Sequence, residues 1–141
     1  MPAPTTILAF DFGLRRIGVA VGQSVTGSAS PLAVIANRDT GVEHDAISAL
    51  IREWRPARLV VGMPAHTDGS DSDMREPVLA FIDELQRYAL PISTVDERYT
   101  SVEAERTLKE ARAAGTRGRI SKEDIDSAAA VFIAERYLAS E

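Results

Sequence analysis

Apolar residues in this chain recur with two periods, and the change from one period to the other marks its elements. Ile7 to Phe10 and Ile17 to Val21 are unbroken apolar runs either side of a short polar turn, which predicts a β-hairpin with both strands largely buried. Residues 28–36 predict a third strand, with Pro31 at an edge or at the strand start because it cannot donate to a ladder. Ala46, Ile47, Leu50, Ile51 and Trp54 then recur at helical spacing, so residues 42–54 predict an amphipathic helix that Pro56 ends. Its polar residues, His44 among them, are expected to face solvent.

Residues 58–63 form the short apolar run of a buried parallel strand. Val78, Phe81, Ile82, Leu85 and Tyr88 mark a second helix over residues 72–88, ended by Pro91, and residues 92–95 predict another buried strand. Thr100 to Glu103 and Ser121 to Asp124 both match the capping box, opening a third helix and a last one over residues 122–138. The Ala128-Ala129-Ala130 run would let that last helix pack very close to the sheet. The order implies an α/β fold: a mixed five-stranded sheet, three antiparallel strands followed by two parallel ones, flanked by helices.

At 141 residues the chain fits one domain over residues 1–141, without repeats, low-complexity tracts or an interdomain linker. It has no cysteine, which excludes a disulfide framework and a thiolate zinc site. The N-terminus carries no positive charge before a first apolar run too short for a signal peptide or a membrane span, so a cytoplasmic protein is expected. The formal net charge of −5 argues against bulk nucleic-acid binding. Its distribution qualifies that conclusion. From Arg98 to Lys122 seven basic residues (Arg98, Arg106, Lys109, Arg112, Arg117, Arg119 and Lys122) face three acids (Glu103, Glu105 and Glu110), giving a local basic face on an acidic protein. Intrahelical pairs such as Glu105 with Lys109 account for part of those charges.

Four places carry candidate chemistry. Asp11 falls where the first strand should still be paired, and a carboxylate there needs a cationic or hydrogen-bonding partner. Gly13, two residues on, leaves room for a phosphate or a metal to approach the backbone. The loop of residues 62–70 follows a buried strand directly, which in open α/β sheets places it at the rim of a ligand site; His66 and Asp68 lie there, although Asp68-Gly69 reads first as a turn and His66 first as an exposed loop residue. Asp96-Glu97-Arg98 closes a strand with charge at the same relative place. One acid is explained by the dipole of the helix that follows, two are not. Asp124 is a cap partner, whereas Asp126, beside Ile125 and three alanines, has no such job.

Asp11, Glu97 and Asp126 thus stand at strand ends or a helix start and are expected to converge at one edge of the sheet. Carboxylates so close repel and raise one another's pKa unless a cation lies between them. An all-oxygen set suits Mg²⁺ or Mn²⁺, and a pair of such ions would hold a phosphodiester and ionise the attacking water.

Four segments together carry a resemblance: Asp-Phe-Gly-Leu-Arg-Arg-Ile-Gly-Val-Ala, Val-Val-Gly-Met-Pro with Asp-Gly-Ser, Asp-Glu-Arg-Tyr-Thr-Ser, and Ile-Asp-Ser-Ala-Ala-Ala. In order and spacing, from about Leu8 to Leu138, the chain resembles the bacterial YqgF/RuvX family. These are RNase H-like proteins described as nucleases processing the 5′ end of pre-16S rRNA and as Holliday junction resolvases. The resemblance implies an RNase H-like fold and carries the family's active-site acids onto Asp11, Glu97 and Asp126. It places Arg16 and Arg98 on the family's motif arginines, and Thr100 and Ser101 on its Thr-Ser pair. It implies a hydrolase in which water attacks phosphorus in line, leaving a 5′-phosphate and a 3′-hydroxyl, with Arg16 and Arg98 holding phosphate oxygens. Leu14-Arg15 in the first turn and Ala65-His66-Thr67 in the second-motif loop are this chain's own variants.

The partner implied is nucleic acid, either precursor rRNA or branched DNA, for a monomer or a homodimer outside the membrane. A second reading keeps the fold but makes the chain a weakly active ribosome-assembly factor, as the acidic net charge suggests. A third, an actin-type kinase, is disfavoured by length, because that architecture encloses its nucleotide between two such domains.

Overall fold

The computed structural model describes residues 5–38, 40–64, 75–96 and 122–140, with the side chains of the last helix from residue 128 onward. The strands are β1 (Thr6–Phe12), β2 (Arg16–Gln23), β3 (Ser28–Arg38), β4 (Gly41–Val42), β5 (Arg58–Met63) and β6 (Ile92–Asp96). The helices are α1 (His44–Trp54), α2 (Arg75–Leu85) with a 3₁₀ turn over Gln86–Tyr88, and α3 (Lys122–Ser140). One six-stranded sheet runs in the order β4-β3-β2-β1-β5-β6. β1, β2 and β3 pair antiparallel, and β5 and β6 add parallel to β1.

The mixed sheet is therefore the one the apolar pattern predicts, with one more strand than expected. The sequence predicts the third strand only to residue 36 and a helix from residue 42; instead β3 continues to Arg38 and folds back as a short antiparallel pair, Asn37 with Val42 and Arg38 with Gly41. Gly41, at φ 122°, supplies the backbone conformation that this reversal needs. Helix α1 consequently begins at His44 rather than at residue 42. It ends at Arg55, in the left-handed region, whose N–H donates to the Ile51 carbonyl just before Pro56. The expected second helix splits: α2 stops at Leu85, and the 3₁₀ turn is closed by Ala89 at φ 57°. Pro31 sits opposite Ala20, where the β2–β3 register slips, and among the described residues no strand pairs with that stretch of β3 on its other side. Of the two places expected for it, an edge or the strand start, the structure shows the edge.

Strand alternation sorts the core into two layers. Leu8 and Phe10 of β1, Leu59 and Val61 of β5, and Ile47, Val78, Phe81 and Leu85 of α1 and α2 bury one face. Phe81 packs edge-on against Phe10, with ring centroids 5.7 Å apart, and 5.0 Å from Phe12. Ile7, Ala9, Ala20 and Val60 bury the other face against Ala130, Ile133 and Ala134 of α3. The alanine run does bring α3 close, and Gly22 on β2 lets it: a Cβ there would stand 3.0 Å from Ile7 Cγ1 and 3.1 Å from Leu138 Cδ1.

Candidate active site

The site is built at the carboxyl end of the parallel strands. β1 pairs with β5 as far as Phe10 with Val61, and β5 with β6 as far as Met63 with Asp96, so the three strands finish at one rim of the sheet. Asp11, next to last in β1, comes immediately beyond that β1–β5 pairing. It is half-buried, and it pairs with Gly18 of β2, which places no side chain beside it. By alternation Asp11 shares the face of Ile7 and Ala9, the face that α3 covers.

Asp126 lies in the first half of α3, one turn before Ala130, and Ala130 is fully buried on that same face. Leu138, near the other end of α3, packs beside Ile7 and Gly22, at the start of β1. The helix thus runs back along the sheet, with Asp126 toward the end of β1 that carries Asp11. Glu97, Arg98, Thr100 and Ser101 follow β6 directly and lie outside the described residues, as do His66 and Asp68 and the basic segment through residue 121. The strand leading to Glu97 is anchored: Arg136 of α3 donates from Nη1 to the carbonyl of Asp96. The backbone thus brings Asp11 and Asp126 to the same layer and ends β6 at Asp96 on the same rim.

The donor set expected from the sequence is of the chemistry that suits a hard divalent cation. It consists of carboxylates, one of them half-buried on β1, in a chain with no cysteine. Among the described residues no group of three or more His, Cys, Asp or Glu side chains could hold a metal, and only Asp11 of the three predicted ligands has a described side chain.

The turn joining β1 to β2 is tightly made. A Cβ on Gly13 would stand 2.6 Å from the carbonyl oxygen of Arg16, closer than such atoms approach. Gly13 thus has a structural reason to be glycine, beyond the ligand access inferred from the sequence. Arg16 opens β2 opposite Ala36 of β3, on the other side of the turn from Asp11. Asn37, the next residue of β3, was not among the predicted site residues, yet it holds this turn. Its side-chain Nδ2 donates to the Gly13 carbonyl at 2.7 Å and its backbone N–H to the Arg15 carbonyl at 2.9 Å. Nothing in the sequence signals this, since an asparagine just past a predicted strand reads as an ordinary turn former.

His44 corrects another expectation. Its side chain is only 15% exposed rather than turned to solvent, with Nε2 2.7 Å from Glu84 Oε1 and Nδ1 2.8 Å from the Tyr88 hydroxyl. It ties α1 to α2 and the turn after it, on the face of the sheet away from Asp11.

Comparison with known proteins adds to this geometry. The model of the RuvX family, described as Holliday junction resolvase, matches residues 5–140. A Burkholderia lata protein named "Putative pre-16S rRNA nuclease" is 47% identical over 134 residues, covering 94% of this chain and 88% of its own. A protein of the same name from Burkholderia cenocepacia is 46% identical over the same shares. Among solved structures, Thermus thermophilus RuvC in complex with a Holliday junction substrate aligns with a TM-score of 0.57 at 11% identity, covering 96% of this chain and 94% of that one. The fowlpox virus resolvase, solved in complex with Holliday junction DNA, gives 0.56 at 10% identity, covering 96% and 97%. At such identities the structural likeness speaks for the RNase H-like resolvase fold.

Proposed function

The chain belongs to the RuvX family, and from that premise we propose that it is a metal-dependent nuclease hydrolysing phosphodiester bonds, with the 5′ end of pre-16S rRNA as its substrate in cytoplasmic ribosome biogenesis. The observation that carries the reading is Asp11: a half-buried carboxylate next to last in a central strand, beside a glycine, on the face of the helix that bears Asp126. A half-buried carboxylate at such a position calls for hydrogen-bonding or cationic partners, which is what a ligand of a divalent ion needs around it.

Asp11, Glu97 and Asp126 would hold Mg²⁺ or Mn²⁺, two ions in this reading, and when bound these supply the charge that ionises water and stabilises a leaving oxygen. The chain's own residues do the rest. Asp11, fixed by the β1–β2 ladder, contributes a carboxylate that need not reorganise during reaction. Arg16 and Arg98 hold non-bridging phosphate oxygens by charge-assisted hydrogen bonds, and Thr100 and Ser101 add neutral donors. The products are a 5′-phosphate and a 3′-hydroxyl.

The family's description as Holliday junction resolvase supports a second substrate, a four-way DNA junction cut by a symmetric dimer. The test is incubation of the purified protein with a 5′-extended 16S rRNA fragment, a four-way DNA junction and single-stranded controls, in Mn²⁺, Mg²⁺ or EDTA, alongside Asp11→Asn. Metal-dependent cutting of the RNA, lost in the variant, is expected. Symmetric junction cutting alone would transfer the assignment to resolution. Binding of RNA without cutting of any substrate would replace the nuclease with an assembly factor.

A further inference from the structure

We propose that Asn37 is a positioning residue for this site, fixing the turn between Asp11 and Arg16; the proposal rests on the nuclease reading above. The β1–β2 ladder holds the hairpin only as far as Phe12 opposite Ile17. Between them the chain passes through Gly13, Leu14, Arg15 and Arg16; Arg16 is held by β3, opposite Ala36, and residues 13–15 lie beyond the reach of either ladder. Leu14 is 64% exposed, so packing does not hold this segment.

Two of its three carbonyls are taken by one residue. Asn37 claims Gly13 through its side-chain amide and Arg15 through its backbone N–H. The amide can face only one way, because its NH₂ end alone can donate to a carbonyl. Asn37 is itself anchored on its other side by pairing with Val42 of β4. A strand three places from β5 in the sheet thereby clamps the turn whose two ends carry the candidate ligand acid and the candidate phosphate arginine.

The partner, rather than the residue type, supports a specific role. Asparagine is common where a strand gives way to a turn, as β3 does here; what sets Asn37 apart is the partner its amide finds 24 residues away, the Gly13 carbonyl at 2.7 Å. The backbone bond to Arg15 survives any substitution, so the side-chain bond to Gly13 can be removed without changing the β3 register. Losing it frees residues 13–15, and Arg16, which follows them, shifts relative to the strand-held Asp11, which lowers the rate of the chemical step more than it weakens binding.

The experiment compares the wild type with Asn37→Asp, which keeps the volume but sets an acceptor against the Gly13 carbonyl, and with Asn37→Ala, which merely deletes the amide. Steady-state cleavage of the 5′-extended rRNA fragment and of the four-way junction gives kcat and KM separately. The rise in melting temperature on Mn²⁺ titration gives metal binding without turnover, with Asp11→Asn as the reference for its loss. The expected result is a kcat lowered about 10- to 100-fold in both variants with KM within about threefold, and about ten times more Mn²⁺ needed for the same rise. Variants that melt lower but keep the wild-type kcat and Mn²⁺ response would overturn the proposal, leaving Asn37 a structural residue. A wild type that neither cuts either substrate nor responds to Mn²⁺ would overturn the nuclease reading first, and the positioning role with it.

Discussion

His44 Nε2 at the start of α1 lies 2.7 Å from Glu84 Oε1 on α2, while Nδ1 of the same ring lies 2.8 Å from the Tyr88 hydroxyl. One imidazole thus joins two helices at two points. The Tyr88 hydroxyl also donates to the His44 backbone carbonyl at 3.3 Å, so the ring and its own main chain share one partner. The contact with Glu84 is 41% exposed on the acid's side, and screening by water makes that half of the link weak. The Tyr88 bond and the ring packing carry more. His44→Ala is expected to lower stability by about 1–2 kcal/mol in urea unfolding. Cleavage per folded molecule should be unchanged, because the link lies on the face of the sheet away from Asp11; a drop in kcat would show that the two faces are coupled.

Gly13 makes a different prediction. An added methyl group would meet the Arg16 carbonyl at 2.6 Å, and that neighbour is backbone that cannot swing aside. Gly13→Ala should therefore move the turn or pull Arg16 out of register, costing about 1–3 kcal/mol as overpacking does. Activity is expected to fall by a larger factor than stability alone explains, since the displaced residue is the candidate phosphate arginine. Amide exchange confined to residues 13–17 would locate the damage.

Gly22 tests how α3 is docked. The nearest atoms to its would-be Cβ are side-chain atoms of Ile7 (Cγ1 and Cδ1) and Leu138 (Cδ1), at 3.0 to 3.2 Å, and side chains give way more readily than backbone. Gly22→Ala should be tolerated within about 1 kcal/mol, whereas Gly22→Leu must lift Leu138 and the end of α3, at about 1–3 kcal/mol. Because Asp126 rides on the same helix, the larger substitution is expected to reduce cleavage as well, which a thermal melt and a rate assay on the same sample would separate.

Which of these features the sequence announces follows from the range of the interactions that make them. The hairpin, β5 and the amphipathic α1 are legible because burial imposes its period on consecutive residues, as in Leu8, Phe10, Leu59 and Val61. Asp11 is legible because a carboxylate breaks an apolar run. The β4 reversal is not, because two residues have no period and only Gly41 signals it. Asn37 and His44 are invisible for another reason: the partners that define them, Gly13, Glu84 and Tyr88, lie 24, 40 and 44 residues away. A polar residue whose role is set by a distant partner looks like any exposed polar residue until the chain is folded.

The sharpest prediction concerns the geometry of Asp11 rather than its charge. Asp11→Asn removes a ligand charge, and cleavage should be abolished while the fold and nucleic-acid binding persist, with binding strengthened as the repulsion of phosphate is relieved. Asp11→Glu keeps the charge and lengthens the arm by one methylene. The β1 backbone cannot retreat to compensate, since Asp11 is paired in register with Gly18 and Phe10 is pinned between Val19 and Val61. A carboxylate displaced by about 1 Å is expected to cost about 10²-fold in kcat with near-native stability and RNA affinity. Rates measured for the two variants over a Mn²⁺ series would decide the matter. Full activity in Asp11→Glu would mean that the site adapts to its acids, and that the rigid strand is incidental to the chemistry.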